Sequence, residues 1–192
     1  MRFLIELDKL KTVLRQTLIA DGSRQENTAE HSWHLATMAL VLAEYAPQPL
    51  DLQRALAIAL VHDLVEIHAG DSFCYDPNAM RTKEAREALA AARLFTLLPP
   101  EQASYLHQLW QEFEACNTNE ARYITALDRL QPLLQNYASR GGSWKRHGIT
   151  LARVIERSAP IADTCPLLWD FARKLIEDAA YQGLFPTSSG SA

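Results

Sequence analysis

Between Ala55 and Ile67 the sequence reads ALAIALVHDLVEI, the most apolar stretch of the chain, and it carries His62 and Asp63 side by side. So apolar a stretch belongs inside a fold, where an imidazole and a carboxylate are out of place unless something pairs with them. A buried carboxylate without a partner is costly enough that it is normally neutralised, hydrogen-bonded or bound to a metal. The doublet therefore marks the expected chemical centre, and the rest of the chain is read for what surrounds it.

Helical spacing dominates that reading. Apolar positions at Leu4, Leu7, Leu10, Leu14 and Leu18 predict a first helix over 3–19, ended by DGSRQ. Asn27 with Glu30 predicts a capping box, opening a helix whose stripe runs through His31, Leu35, Met38 and Leu42 and stops before Pro47. Asp51 caps a third helix reaching Ala69, with Gly70 as its stop and the loop DSFCYDPN after it. A fourth helix over 81–98 ends at Pro99-Pro100, which start a fifth carrying Leu106, Leu109, Trp110 and Phe113. Asn117 with Glu120 caps a sixth through Asp128, which Pro132 should kink or end; helices over 151–157 and 167–181 follow the Gly141-Gly142 turn. No run alternates with the two-residue period of a strand, and seven glycines are few for a sheet-rich chain. The expected fold class is all-α, in one domain over 1–186 with a disordered tail at 187–192, because no linker-like stretch divides the 192 residues.

Charge and cysteine content exclude several classes. A net charge of −4 without a Lys/Arg cluster offers no surface for a nucleic-acid backbone. The three cysteines, Cys74, Cys116 and Cys165, lack paired metal or redox spacing and read as reduced thiols of a cytoplasmic protein. Glu6 and Asp8 interrupt the apolar N-terminus, against a signal peptide, and no apolar run approaches a membrane span.

On the third helix His62 and Glu66 are four residues apart and Asp63 and Glu66 three, so the three side chains converge on one sector. Two neighbours on one turn cannot surround an ion, so further ligands must come from other helices. His31 and Asp128 suit, each lying on an apolar helical stripe. Two imidazoles and two carboxylates make a borderline-hard site for one divalent ion, whether Mn, Co, Ni, Fe, Zn or Mg. Positions left open on such an ion are what hydrolysis requires.

This pattern, His31 then His62-Asp63 then Asp128, resembles the H…HD…D signature of the HD-domain phosphohydrolase superfamily. Two longer strings, RQENTAEHSW (24–33) and HDLVEIHAGD (62–71), are similar to motifs of bacterial 5′-deoxynucleotidases and their HD-domain-containing-protein-2 relatives. The resemblance implies an all-helical HD-domain bundle, one divalent metal, a homodimer, and release of phosphate from nucleoside 5′-monophosphates. It places His31, His62, Asp63 and Asp128 as metal ligands, Glu66 as the catalytic carboxylate and Asp71 as a second acid of the active site. Where those deoxynucleotidases carry an Arg-Trp pair, this chain has Arg15-Gln16. Guanidinium groups suit phosphate, which makes Arg15 and Arg24 the candidates for holding substrate.

Two other readings compete. A di-iron oxygenase of the same fold needs additional histidines between the doublet and Asp128; only His68 and His107 stand there. A non-catalytic nucleotide-binding module would have no use for Glu66 and Asp71.

Overall fold

The computed structural model describes residues 1–186, and the tail expected at 187–192 lies outside them. The chain forms two compact units, one from Met1–Arg15 with Glu26–Thr125, the other from Gln16–Gln25 with the described residues from Ala126 onward.

In the first unit, α1 (Arg2–Leu7) tightens into a 3-10 turn over Asp8–Thr12. The chain then leaves the helical path: Leu14–Leu18 is β1 and Gln25–Asn27 is β2, paired as a two-stranded sheet. The single long first helix expected from the leucine spacing is thus corrected. Leu14 and Leu18 fit a strand as well as a helix, and Val13, Thr17 and Ile19 are β-branched residues that favour the extended form. Gly22, at φ +74°, supplies the turn between the strands.

Asn27 opens α2 (Thr28–Val41) with the expected capping box: its Oδ1 accepts the Glu30 N–H at 3.0 Å, and the Glu30 carboxylate accepts the Asn27 N–H at 3.2 Å. Helix α2 packs against α3 (Leu52–Val61), and Leu35 and Ala39 of the first and Ala55, Ile58 and Ala59 of the second are all fully buried. Burying a leucine or isoleucine contributes roughly 1.5–3 kcal/mol, so this seam anchors whatever the two helices carry. A short α4 (Glu66–Ala69) follows α3 after a four-residue turn. Asp76 caps α5 (Pro77–Phe95), which starts four residues before the expected 81. Pro100 starts α6 (Pro100–Ala115), where Leu109 and Trp110 are buried core.

Thr118, not Asn117, caps α7 (Asn119–Ala138), its Oγ1 accepting the Ala121 N–H at 3.2 Å. The helix also continues past Pro132 rather than ending there. One missing N–H removes a single rung, while Leu130, Gln131, Leu133, Gln135 and Asn136 are all buried around it and hold the helix by side-chain contact.

In the second unit Arg140 and Gly141 take left-handed conformations that end α7, and a Cβ on Gly141 would lie 2.1 Å from the Leu184 carbonyl oxygen. Asn136 Oδ1 then accepts the Ser143 N–H at 2.9 Å and starts α8 (Gly142–Arg146). Helices α9 (Leu151–Ser158), α10 (Ile161–Thr164) and α11 (Pro166–Tyr181) complete the chain. The buried stripe Leu168, Ala172, Ile176, Ala179 shows the helical repeat of α11. Among the described residues, no helix is long and apolar enough to cross a membrane.

Candidate active site

The helix expected over 51–69 divides at its chemical residues. After Val61 the amides of Leu64, Glu66, Ile67 and His68 reach back three residues, at 3.0, 3.0, 3.2 and 3.1 Å. Side chains at i and i+3 eclipse in such a tightened turn, so Asp63 and Glu66 share a face more closely than an α-helix would allow.

His62 is buried, and its Nδ1 lies 2.9 Å from the Ala59 carbonyl oxygen. A carbonyl only accepts, so Nδ1 carries a proton and Nε2 is the ring atom left to face the site. That buried Nε2 has no hydrogen-bond partner and points at Asp63, 3.2 Å from Oδ2. The His31 Nε2, from the first turns of α2, lies 3.7 Å from the same oxygen. Candidate ligand atoms of His31, His62 and Asp63 all fall within 4.8 Å of one another. Two imidazole nitrogens, one of them aimed and unbonded, and a carboxylate oxygen are a donor set that fits a divalent ion.

Helix α6 steadies this cluster. The Phe113 ring lies 4.7 Å from the His62 ring, and the adjacent Glu112 accepts from Arg54 Nε of α3 at 2.8 Å. Burial opposes ionisation of Asp63, but His62 first, then Arg15 and His31, hold its carboxyl well below the ordinary carboxylate range. Glu66 is driven the other way, well above that range, by burial and by the negative charge of Asp63, with Arg15 acting against them. Two carboxyls three residues apart are thereby separated in proton affinity, the arrangement an acid–base site uses. The Thr28 hydroxyl donates to Glu66 Oε2 at 2.8 Å.

Arg15, on β1, places Nη1 3.0 Å from Asp63 Oδ2 and 3.9 Å from Asp71 Oδ1. Asp71 follows Gly70, whose φ of +73° turns the chain out of α4. Arg86 of α5 brackets it, donating to the Ala69 carbonyl on one side at 2.5 Å and to Ser72 Oγ on the other at 2.8 Å.

The structure thus brings together Arg15, His31, His62, Asp63, Glu66 and Asp71 from the first unit. Asp128 and Arg24 belong to the second unit, where Arg24 Nη1 donates to the Gln25 carbonyl at 3.1 Å. His68 lies 3.5 Å from Glu6, and His107 stacks on Trp110 at 5.6 Å. Sequence reasoning passed over Glu26, Thr28, Arg86 and Phe113. The buried Glu26 places Oε2 3.6 Å from His31 Nδ1 and 3.7 Å from Arg15 Nε. Its signal was its position: a carboxylate one residue before a helix cap and five before a candidate ligand.

Residues 7–169 match the HD domain family. The chain belongs to the HD-domain family. This HD-domain chain is 31% identical over 136 residues to the 5′-deoxynucleotidase HDDC2 of Mus musculus, covering 70% of this chain and 67% of that protein. The Homo sapiens protein of the same name is also 31% identical, with 65% of its length covered. A solved structure described as a predicted metal-dependent phosphohydrolase, from Magnetospirillum magnetotacticum MS-1, shares 51% identity with a TM-score of 0.92, over 97% of this chain and 94% of that one. The PH0347 protein of Pyrococcus horikoshii OT3, at 24% identity and a TM-score of 0.65 over 91% of this chain and 98% of that one, shows the same fold.

Proposed function

We propose that this chain releases phosphate from nucleoside 5′-monophosphates or similar small phosphomonoesters, using one divalent ion held by His31, His62, Asp63 and Asp128. It is a hydrolase of the HD-domain family; the substrate class, the ligand set and the roles below are our reading. The observation that carries it is the buried His62 Nε2, turned toward Asp63 by the bond at Nδ1 and clustered with His31. The names of the Mus musculus and Magnetospirillum proteins support the same chemistry. Because the family match runs from residue 7 to 169, we treat 1–186 as one HD domain.

A divalent ion bound there supplies Lewis-acid polarisation of a phosphate oxygen and a more acidic water. The protein's own residues do the rest. Arg15, with Arg24 as a second candidate, offers guanidinium donors to the phosphate oxygens. Glu66 in its ionised form takes a proton from the attacking water and returns it to the leaving O5′ as the P–O5′ bond breaks; its raised proton affinity suits the second of these transfers. Asp71, held between the two anchors of Arg86, faces Arg15 and restrains its guanidinium.

The test is phosphate release from a panel of deoxy- and ribonucleoside and non-nucleoside monophosphates, by wild type and Glu66→Gln. Turnover of nucleotides that Glu66→Gln loses by about 10²–10⁴-fold, the range general acid–base catalysis supplies, is the expected result. Turnover of the panel untouched by Glu66→Gln would overturn the proton-transfer role, and no turnover of any monophosphate would overturn the substrate class.

A further inference from the structure

One buried carboxylate stands behind two different parts of the site. Thr28 N–H donates to the Val13 carbonyl at 3.0 Å, closing one rung between the chain before β1 and the start of α2. Beyond that rung, Arg15 of β1 and Glu26 of β2 approach each other across the sheet. Glu26 is 2% exposed, and the Arg15 side chain is partly buried at 14%. The capping box built on Asn27 locks the chain from Glu26 into the first turns of α2, so that His31 holds a set position relative to Glu26.

From this mount Glu26 Oε2 lies 3.6 Å from His31 Nδ1 and 3.7 Å from Arg15 Nε. The far side of each partner faces the site: His31 Nε2 and Arg15 Nη1 both approach Asp63 Oδ2, at 3.7 and 3.0 Å. The two contacts of Glu26 Oε2 are ion-pair approaches rather than hydrogen bonds, so the carboxylate acts through its charge: a negative charge at the Nδ1 side of an imidazole favours the tautomer with a proton there and leaves Nε2 as the ligand atom. The same charge attracts the Nε edge of the guanidinium and so turns the terminal Nη donors toward Asp63.

We propose that Glu26 is a positioning residue that orients both the metal ligand His31 and the phosphate-binding Arg15, so that affinity for the ion and affinity for phosphate depend on one side chain. This rests on the metal and phosphate roles proposed above. Glu26 touches neither the ion nor the substrate in this scheme; it acts through its two neighbours. His62, by contrast, is set by a backbone carbonyl, so the two imidazoles answer to different substitutions.

The test is calorimetric titration of Mn²⁺ into metal-stripped protein, then of inorganic phosphate into the loaded protein, for wild type, Glu26→Gln, Glu26→Asp and Arg15→Gln. Glu26→Gln keeps the size of the side chain, and Glu26→Asp keeps its charge with less reach; either serves if the other fails to fold. Thermal melts of the metal-free proteins identify variants that fold. Glu26→Gln weakens Mn²⁺ binding by about 10–100-fold, the usual consequence of removing a partner of a ligating histidine, and weakens phosphate binding several-fold. Arg15→Gln weakens phosphate binding and leaves Mn²⁺ affinity unreduced, and adding Glu26→Gln to it brings no further loss of phosphate affinity. Wild-type affinities for both ions in a folded Glu26→Gln overturn the proposal, and loss of metal affinity alone overturns its Arg15 half. Wild type that binds no Mn²⁺ overturns the metal site itself, a result distinct from either.

Discussion

Thr28→Val removes one hydroxyl and keeps the shape of the side chain. Thr28 is fully buried, and its Oγ1 donates to Glu66 Oε2 at 2.8 Å. Valine leaves that oxygen without this donor in a place that water reaches poorly, since Glu66 is itself 5% exposed. Leaving a buried acceptor unsatisfied costs roughly 1–3 kcal/mol. At about 2–4 °C per kcal/mol for a domain of this size, a central value of about 2 kcal/mol lowers the melting temperature of the metal-free protein by about 4–8 °C. Thr28→Ser keeps the hydroxyl and loses one buried methyl, about 0.8 kcal/mol or about 2–3 °C. Differential scanning calorimetry of the three proteins in chelator orders them wild type, Ser, Val. In loaded enzyme, Thr28→Val also lowers kcat by roughly tenfold with KM little changed, because the bond that aims Glu66 is lost, about 1.4 kcal/mol of barrier. A valine variant that melts no lower than the serine variant, with unchanged kcat, would refute the claim that Thr28 holds Glu66.

Two further predictions concern the loop beyond the doublet and the second unit. Arg86→Gln releases both anchors around Asp71; it costs about 1–3 kcal/mol of stability and speeds amide exchange across Gly70–Asp76, read by hydrogen-exchange mass spectrometry. Cys165 is fully buried, and burial pushes its thiol up to about 11 from an ordinary 9.0. A fold that favours the neutral thiol has that stability in full below pH 9 and loses it as pH rises towards 11. The loss is at most about 2.7 kcal/mol, less whatever water screens. Cys165→Ala removes this alkaline slope in denaturant melts run between pH 8 and 11.

The legible parts of this molecule are those where one residue type carries one local meaning. The capping box at Asn27 and the stripe after it define α2 without help from the rest of the chain, and the HD doublet stands out because so apolar a stretch does not tolerate it alone. Helical spacing put Glu66 beside Asp63 correctly, although the backbone there is a 3-10 turn that the unbroken apolar pattern of 55–67 conceals. Leu14 and Leu18 misled because spacing by four satisfies both a helix and a strand, and what decides between them is the pairing of β1 with β2. Pro132 misled because its cost is local and the contacts that outweigh it come from buried neighbours. Arg86 lay beyond reach for a related reason: it acts across a loop, at a distance with no counterpart in sequence spacing, whereas Glu26 left only the faint signal of a carboxylate just before a helix cap.

The central claim is that the cluster of His31, His62 and Asp63 works by holding a metal. It is tested most directly by titrating metal-stripped protein with Mn²⁺ while following phosphate release from a deoxynucleoside 5′-monophosphate, with Asp63→Ala in parallel. No phosphate is released before addition, activity rises to saturation at one ion per chain, and Asp63→Ala releases none at any ion concentration. Full activity in the stripped protein, or activity in Asp63→Ala equal to wild type, would contradict the claim.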